Sequence, residues 1–503
     1  MTAEISEHPT KSRRRSWLFR FMAVLFGCSL VLLLEATLWL VGLGKIEDPG
    51  DPFLGFSETV PLFELHEPSN RYIIPASRQV FFQPDSFGAK KESNEFRIFC
   101  LGGSTVQGRP YSIETSFTTW LELELRAADP ATKWEVVNCG GVSYASYRLL
   151  PILKETLDYQ PDLFIIYTGH NEFLEERTYS GIKNRPRWLA KLQDKLYQSR
   201  IYCTAWQLLG RQEKAADVVD LPAEVDALLD YQGGLAKYHR DDAWRDDVVS
   251  HYSYNLLRMT HIARAANVPI LFVNPVSNLR DTPPFKVELN DELTDTQRAD
   301  FLERWEAAKN ASWEDLQTKA TLTQAALELD NRHADAHFLL AKVYDAMGDA
   351  EHAKQEYLRA KDEDICPLRM LESMHSELQR VAEQTNTRLV DARQFFELRA
   401  GLRIPGDDLL IDHVHPRIEQ HQQLASLLFA ELKKDGIVTV EDGWEDRRRK
   451  LVELNFASLP ENYFPESVER LRGLQKWAEG RVTRLKPDSA VPSATPSAMD
   501  EER

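Results

Sequence analysis

Five short apolar runs recur along the chain, each bounded by glycine, proline or polar residues. They are FRIFCL at 96–101, WEVVNC at 134–139, DLFIIYT at 162–168, PILFVN at 269–274 and TRLVDA at 387–392. Continuous apolar runs of this length are typical of strands that are buried on both faces. Stretches with helical spacing lie between them, at 116–128, 147–159 and 251–266. Alternating strands and helices predict an α/β fold, in which helices cover both faces of a parallel sheet.

A longer apolar segment precedes these runs. Residues 21–44 contain one ionisable group, Glu35, and at a rise of about 1.5 Å per residue they can cross the hydrocarbon core of a bilayer. Four arginines precede the segment and three acidic residues follow it: Arg13, Arg14, Arg15, Arg20, Glu47, Asp48 and Asp51. By the positive-inside rule, this pattern predicts a transmembrane signal-anchor with residues 1–20 in the cytoplasm and the rest extracytoplasmic, in the periplasm or at the cell surface.

A cleavable signal peptide is the alternative interpretation of this segment. The apolar run is longer than the roughly 15 residues of a signal peptide core, and no small-x-small cleavage site closes it. Glu35 lies inside the predicted span, where a carboxyl group either pairs with a partner helix or is tolerated at a packed interface.

The pattern divides the rest of the chain into successive segments. We predict a stalk at 45–92, an α/β domain in three parts at 93–174, 250–289 and 365–436, a helical lid-like insertion at 175–249, a second helical insertion at 290–364, a charged helical extension at 437–485 and a disordered tail at 486–503. Within the last part of the α/β domain, residues 419–434 have the spacing of an amphipathic helix that completes the cover of the sheet.

The second insertion contains a repeat signal. From Ala334 onwards the small and large positions match a tetratricopeptide repeat, which is 34 residues long: Leu340, Ala341, Tyr344, Gly348, Ala353, Tyr357 and Ala360. The preceding residues match only in part, because their first helix, around 304–310, fits the repeat poorly. We therefore expect one and a half repeats that pack on the main domain and offer a surface to a protein partner. An ordinary helical hairpin is the alternative.

Charge and cysteine content exclude several classes of function. The net charge is −17, from 61 Lys and Arg against 78 Asp and Glu, so nonspecific nucleic-acid binding is not expected. The five cysteines show neither the CxxC spacing of a zinc site nor the density of a disulfide framework. Cys100 and Cys139 end neighbouring predicted strands, where they are either buried free thiols or a disulfide.

Polar side chains follow three of the predicted strands directly. The first strand ends in GGST with Ser104, the second in NCGG at 138–141, and the third in GHNE with Asn171. Because the carboxyl ends of parallel strands meet at one edge of the sheet, these residues converge there. The motif IDHVHP follows the last strand, and its Asp412 and His415 are spaced so that the carboxylate can hold one imidazole nitrogen while the other faces a serine.

These four blocks, GGSTVQG, NCGGVS, GHNE and DHVHP, resemble the signature blocks of the SGNH or GDSL hydrolase superfamily, over residues 96–172 and 269–432. The resemblance implies a flavodoxin-like three-layer α/β/α fold with helical insertions. It implies that Ser104 is the nucleophile, that Asp412 and His415 complete the triad, and that Ser104, Gly141 and Asn171 form the oxyanion hole. Gly140 is the alternative to Gly141, and family members often place this glycine a few residues further on, where the present chain has Ser143 and Tyr144.

Other polar residues near the predicted site allow more than one role. Asp412, His413 and His415 could in principle bind a metal, but we expect no metal and no cofactor. His170 is predicted to line the pocket or contact substrate, with His413 directed away from His415. Arg280 is either a substrate contact or part of a surface salt bridge.

The leading interpretation is a membrane-anchored serine esterase that cleaves an acetylated carbohydrate or a lipid ester through an acyl-serine intermediate. An O-acyltransferase that modifies an exported polysaccharide would use the same chemistry with a sugar hydroxyl in place of water. A non-catalytic scaffold that binds a protein partner through the helical repeat is an alternative of a different class.

Overall fold

The structure is a computed structural model that describes residues 11–44, 51, 53–177, 199–209 and 219–484. It divides into two compact units, one formed by Met1–Gly55 with Thr178–Val219 and the other by Phe56–Arg177 with Asp220–Arg503. The first unit contains helix α1 (Lys11–Val41) and helix α5 (Arg200–Leu209). Most of the membrane segment predicted at 21–44 falls within α1, which ends at Val41. Within this helix, Trp17–Val41 has a mean hydropathy of 2.2 and is long enough to cross a bilayer.

The remaining elements are numbered in chain order. The strands are β1 (Leu54–Phe56), β2 (Glu64–His66), β3 (Arg71–Ile73), β4 (Ser86–Gly88), β5 (Glu95–Gly102), β6 (Lys133–Gly140), β7 (Leu163–Tyr167), β8 (Val219–Leu221), β9 (Ile270–Val273) and β10 (Arg388–Val390). The helices are α2 (Ser104–Gln107), α3 (Phe117–Ala128), α4 (Ser146–Leu157), α6 (Asp242–Ala265), α7 (Asp295–Asn310), α8 (Leu316–Leu327), α9 (Ala334–Met347), α10 (Ala350–Asp362), α11 (Glu372–Thr385), α12 (Ala392–Glu397), α13 (Ile418–Lys434), α14 (Trp444–Ala457) and α15 (Tyr463–Ala478).

The five predicted apolar runs form the central sheet of the second unit. Its strand order is β10, β9, β7, β5 and β6, and every pairing is parallel. Ile98 and Cys100 of β5 face a core that includes Trp120 of α3 and Leu424 of α13. On the other face of the sheet, α4 packs on β5 and α11 packs on β10, and α6 packs on both of these helices. The predicted three-layer α/β/α fold is confirmed.

The segment predicted as a stalk at 45–92 is largely part of the second unit. Strands β2, β3 and β4 form a small antiparallel sheet within it. The ring of Phe87 is fully buried and meets the ring of Phe99 of β5 edge to face, with centroids 5.3 Å apart. The sequence suggested a stalk because these strands have three residues each and lie among proline and glycine. In the structure, however, their aromatic side chains are covered by the main sheet.

The first insertion is described only in part, because residues 178–198 and 210–218 lie outside the described range. Helix α6 begins at Asp242, before the predicted residue 251, so the predicted boundary at 249 and 250 falls inside a helix. Asp241 is the N-cap residue of α6, because its side chain accepts a hydrogen bond from the backbone N–H of Trp244 at 2.9 Å.

The second insertion consists of four successive helices, α7 to α10, within which α7 pairs with α8, α8 with α9 and α9 with α10. The helix expected around 304–310 is longer than predicted, because a capping box formed by Thr294 and Gln297 starts α7 at Asp295. Five of the repeat positions are buried: Leu340, Ala341, Ala353, Tyr357 and Ala360. The predicted helix at 419–434 corresponds to α13, and α14 and α15 form the helical extension. The predicted disordered tail lies outside the described residues.

Candidate active site

The predicted nucleophile lies where β5 turns into α2. Ser104 is half-buried and is the first residue of that helix. The turn before it requires glycine, because a Cβ atom at Gly102 would lie 2.1 Å from the carbonyl oxygen of Tyr167, and one at Gly103 would lie 2.4 Å from Nδ2 of Asn171. The two glycines therefore allow the neighbouring strand end and the Asn171 side chain to approach the serine closely.

Ser104, His415 and Asp412 form a continuous chain of hydrogen bonds. Oγ of Ser104 lies 2.7 Å from Nε2 of His415, and Nδ1 of His415 lies 2.7 Å from Oδ2 of Asp412. Since Nδ1 donates its proton to the carboxylate, the Nε2 atom of the neutral ring is left as an acceptor for the serine hydroxyl. The arrangement is that of a nucleophile, a base and a group that orients the base.

The Asp412 carboxylate is buried and is held in its ionised form. Burial on its own would raise the pKa of this group. However, the nearby His415 and His413 imidazoles and the hydrogen bonds that the carboxylate accepts keep its pKa well below the ordinary value. Two of these bonds come from the backbone N–H groups of Val414 and His415, each at 2.9 Å. These contacts also fix the carboxylate in place, so it can orient the imidazole.

Asn171 lies beside the nucleophile, as the resemblance implies, but Gly141 does not offer a free donor. The N–H of Gly141 donates to the carbonyl oxygen of Gly102 at 3.0 Å, and that of Gly140 donates to the side chain of Asn138 at 2.9 Å. The first bond joins the end of β6 to β5, and the second lies within β6, so both N–H groups already have acceptors. The assignment of either glycine to the oxyanion hole is therefore corrected.

The turn after these glycines contains an amide without an acceptor among the described residues, that of Ser143. Ser143 has a left-handed backbone with φ of 63°, a conformation that favours glycine. Asn171 Nδ2 donates to the carbonyl oxygen of the next residue, Tyr144, at 3.0 Å, so this turn lies against Asn171. Within the described part of the chain, the N–H groups of Ser104 and Ser143 have no hydrogen-bond acceptor. The available donors are these two amides and the Asn171 amide. The sequence offered Gly140 as the alternative to Gly141 and indicated only that Ser143 and Tyr144 stand where family members often have the glycine, so it could not show which amide is free.

Two further histidines lie beside the triad, and burial keeps both neutral. Burial, with the nearby His413 and His415, lowers the pKa of His170 to about 3, and burial lowers that of His413 to about 4. Nδ1 of His170 accepts a hydrogen bond from the backbone N–H of Met370 at 3.2 Å, so its Nε2 carries the proton. This buried Nε2–H has no acceptor among the described residues. Among those residues, no group of three His, Cys, Asp or Glu side chains is arranged to hold a metal ion.

Other candidate residues of the sequence have structural partners. Glu172 accepts hydrogen bonds from the backbone N–H of Ser146 at 2.7 Å and from its hydroxyl at 3.0 Å, at the start of α4. Arg280 forms a two-point ion pair with Asp345 of the second insertion, at 2.7 and 2.8 Å, so it is a salt-bridge residue. Cys100 and Cys139 are buried free thiols.

No family model and no curated protein matches the chain. Several solved structures do, over about two thirds of it. An acetylxylan esterase from Geobacillus stearothermophilus is 13% identical, with 67% of this chain and 94% of that chain covered and a TM-score of 0.30. A lipase/acylhydrolase from Enterococcus faecalis is 12% identical, with 69% and 100% covered and a TM-score of 0.30. A lipolytic protein of the G-D-S-L family from Desulfitobacterium hafniense is 10% identical, with 66% and 98% covered and a TM-score of 0.29.

The resemblance to the SGNH hydrolases rests on the four sequence blocks themselves. The likenesses are too distant to transfer a substrate to this chain. What bears on chemistry is the local arrangement, in which all four SGNH-like blocks meet at the carboxyl edge of the parallel sheet and bring Ser104, Asn171, Asp412 and His415 together.

Proposed function

We propose that this protein is a serine esterase of the SGNH type that cleaves a carboxylic ester through an acyl-serine intermediate. The observation that supports this best is the chain of hydrogen bonds from Ser104 through His415 to Asp412, with the Asn171 side chain beside the serine. A protein that served only as a scaffold would need none of these contacts.

In the proposed reaction, Nε2 of His415 accepts the Ser104 proton as Oγ bonds to the carbonyl carbon of the ester. The negative charge that develops on the carbonyl oxygen is stabilised by the N–H groups of Ser104 and Ser143 and by Nδ2 of Asn171. The carbon–oxygen bond to the alcohol then breaks, and the alcohol leaves with the proton from His415. Water, deprotonated in turn by His415, attacks the acyl carbon, releases the acid and restores the Ser104 hydroxyl.

We further propose that the enzyme is anchored in a membrane by α1, with residues 1–20 in the cytoplasm and the second unit extracytoplasmic. The length and hydropathy of Trp17–Val41 support an anchor, and the arginines before it with the acidic residues after it support this orientation. An epitope tag at residue 1 tests the anchor. The tag stays with the mature protein in the membrane fraction if α1 is retained, and it is lost if α1 is a cleaved signal sequence.

The second insertion is proposed to be tetratricopeptide-like and to have a role separate from catalysis. One face of it packs on the hydrolase body, because Ala341, Ala353 and Tyr357 share a buried cluster with Leu279 and Ile404. This contact supports a rigid attachment of the repeat to the catalytic unit, which leaves only its outer face for a protein partner.

The test of the proposed activity is labelling of the full-length protein in detergent with a fluorophosphonate, which reacts with activated serines. We expect labelling of the parent, none of Ser104→Ala and much less of His415→Ala. Ser376→Ala removes an exposed serine of α11 and serves as the matched control, with labelling unchanged. A folded parent that is not labelled, or a Ser104→Ala variant that still is, would contradict the proposal.

Hydrolysis and acyl transfer share every step up to the acyl-serine, so they are separated by the second step. Unlabelled parent is given p-nitrophenyl acetate with and without a xylooligosaccharide acceptor. Free acetate as the product in both conditions supports the esterase, whereas acetylated oligosaccharide would make the protein a transferase.

A further inference from the structure

Glu35 is the one acidic residue of α1, and Arg20, near the start of Trp17–Val41, is the other charged side chain of that segment. Glu35 lies six residues before the end of the helix at Val41, a distance of about 9 Å at 1.5 Å per residue. The apolar segment Trp17–Val41 is about 37 Å long by the same rise, and the hydrocarbon core of a bilayer is about 30 Å thick. If α1 is centred in the membrane, Glu35 lies about 5 Å inside the hydrocarbon, on the side of the second unit.

The carboxylate of Glu35 binds the N-terminus of α5 within the same unit. It accepts hydrogen bonds from the backbone N–H groups of Arg200 and Ile201 and from the hydroxyl of Ser199. A helix N-terminus carries partial positive charge, which favours a carboxylate at that position. The pairing therefore explains how α1 tolerates a carboxyl group inside an apolar segment.

The first turn of α5 leaves no N–H group that needs water. Glu35 binds the N–H groups of Arg200 and Ile201. The N–H of Tyr202 donates to the side chain of Ser199 at 3.3 Å, and the N–H of Cys203 donates to the carbonyl oxygen of Ser199 at 3.0 Å. The first four N–H groups of a helix normally lack partners within the helix. Pairing of the Arg200, Ile201 and Tyr202 N–H groups by side chains of the protein suits a helix end inside a lipid bilayer.

Two more contacts place α5 along the end of α1. A Cβ atom at Gly44 would lie 2.4 Å from the carbonyl oxygen of Arg200, so glycine permits the close approach. The guanidinium of Arg200 reaches the carbonyl oxygen of Leu43 at 3.3 Å, beyond the end of α1. A long basic side chain that extends from an apolar region towards the membrane surface is common at membrane boundaries.

The composition of α5 also fits lipid. Its sequence is RIYCTAWQLL, in which Arg200 is the one charged residue, and the side chain of Leu208 is 77% exposed. Ten residues span about 15 Å, too short to cross a bilayer but suitable for a segment that enters and leaves on one side.

We propose that α5 is a re-entrant helix that lies in the outer leaflet of the membrane against α1, with Glu35 bound to its N-terminus and Leu208 in contact with lipid acyl chains. The inference rests on the proposed membrane anchor. It gives the first insertion a second attachment to the bilayer, in addition to α1.

The test measures the depth of a nitroxide label in the full-length protein in phosphatidylcholine liposomes. The label is placed at Leu208→Cys in a Cys28→Ala background, and its collision rates with oxygen, which concentrates in lipid, and with a water-soluble nickel chelate are compared. Leu454→Cys is the matched aqueous control, because Leu454 is 66% exposed on α14 of the second unit. We expect the ratio of oxygen to nickel collisions to be several-fold higher at residue 208 than at residue 454.

A label at Leu25→Cys, in the middle of the apolar segment, separates failure of this inference from failure of the anchor. A lipid-like ratio at residue 25 with a water-like ratio at residue 208 would overturn the re-entrant helix and leave the anchor standing. A water-like ratio at residue 25 would overturn both.

The role of Glu35 is tested in the same labelled protein. Glu35→Leu leaves the N–H groups of Arg200 and Ile201 without an acceptor in lipid, so the label at residue 208 is expected to shift towards a water-like ratio. Thr37→Val, which removes a hydroxyl that bonds only within α1, is expected to leave the ratio unchanged. An unchanged ratio in Glu35→Leu would overturn the proposed binding of the helix end.

Discussion

The two edges of the central sheet differ in how far their buried polar groups are hydrogen-bonded within the protein. At the amino edge, where the strands begin, the buried guanidinium of Arg97 is bonded to Glu135 at 2.9 Å, to Glu95 at 2.5 Å and to the carbonyl oxygens of Tyr159 and Gly88 at 2.7 and 2.8 Å. This network joins β5, β6, β4 and the entry to β7. Each guanidinium nitrogen donates at least one hydrogen bond, so loss of Arg97 would leave buried carboxylates without their partner.

At the carboxyl edge, where the strands end, several polar groups lack partners. The N–H groups of Ser104 and Ser143, the Nε2 of His170 and the Oγ1 of Thr168 have none among the described residues. Leaving buried polar groups without partners costs free energy. Under the proposed function, the amino edge supports the fold, and the carboxyl edge contacts a substrate that completes its hydrogen bonds.

The largest expected effect concerns the rate at the carboxyl edge. Ser104→Ala should lower the rate of p-nitrophenyl acetate hydrolysis by about 10⁴-fold or more, because the nucleophile is lost. Its thermal unfolding midpoint should stay close to that of the parent, because the Ser104 hydroxyl bonds to His415 and contributes little to the fold. A residual rate within tenfold of the parent, or a large fall in the midpoint, would remove the contrast between the two edges.

The next largest effect concerns stability at the amino edge. Arg97→Met leaves the carboxylates of Glu95 and Glu135 without their buried partner, so the free energy of unfolding should fall by about 3–5 kcal/mol. Fluorophosphonate labelling of Ser104 below the unfolding midpoint should persist. Arg126→Met is the matched control, because Arg126 is 51% exposed in its pair with Glu122 and its loss should cost less than about 1 kcal/mol. Equal losses in the two variants would show that the Arg97 network is not central to stability.

A smaller effect is expected from the oxyanion donor. Asn171→Ala should lower kcat by about 10²-fold to 10³-fold with little change in KM, because the donor acts on charge that develops in the transition state. Asn274→Ala is the control, since Asn274 also lies at the end of a strand but both ends of its amide are bonded, to Asp391 and His375. A rise in KM at unchanged kcat would assign Asn171 to substrate binding instead.

The sheet and the triad could be predicted from the sequence because both depend on local signals. A strand buried on both faces appears as an apolar run, and Asp412 and His415 are three residues apart, so their pairing is nearly independent of the rest of the fold. The free oxyanion amide could not be predicted, because it depends on whether Gly141 bonds to Gly102 across neighbouring strands. The small sheet of β2 to β4 was missed because three-residue strands have too short a pattern to be recognised.

The smallest predicted effect concerns pH and a histidine next to the triad. Burial, with the nearby His415, lowers the pKa of His421 to about 3, below the value of roughly 6.5 expected in the unfolded chain. Between these values the unfolded state binds one proton more than the folded state, so stability must fall as the pH falls. His421→Gln keeps an acceptor for the Phe117 N–H, which the imidazole binds at 3.2 Å, and removes this titration.

The parent should therefore lose about 2 kcal/mol of unfolding free energy relative to His421→Gln between pH 7 and pH 5, measured by denaturant unfolding at each pH. Between pH 7 and pH 8 the imidazole is mostly neutral in both states, so the difference between the two proteins should change by less than about 0.2 kcal/mol there. A difference that changes as little down to pH 5 would mean that protons reach His421 in the folded protein. The carboxyl edge would then be more open beside the triad than the burial of this ring implies.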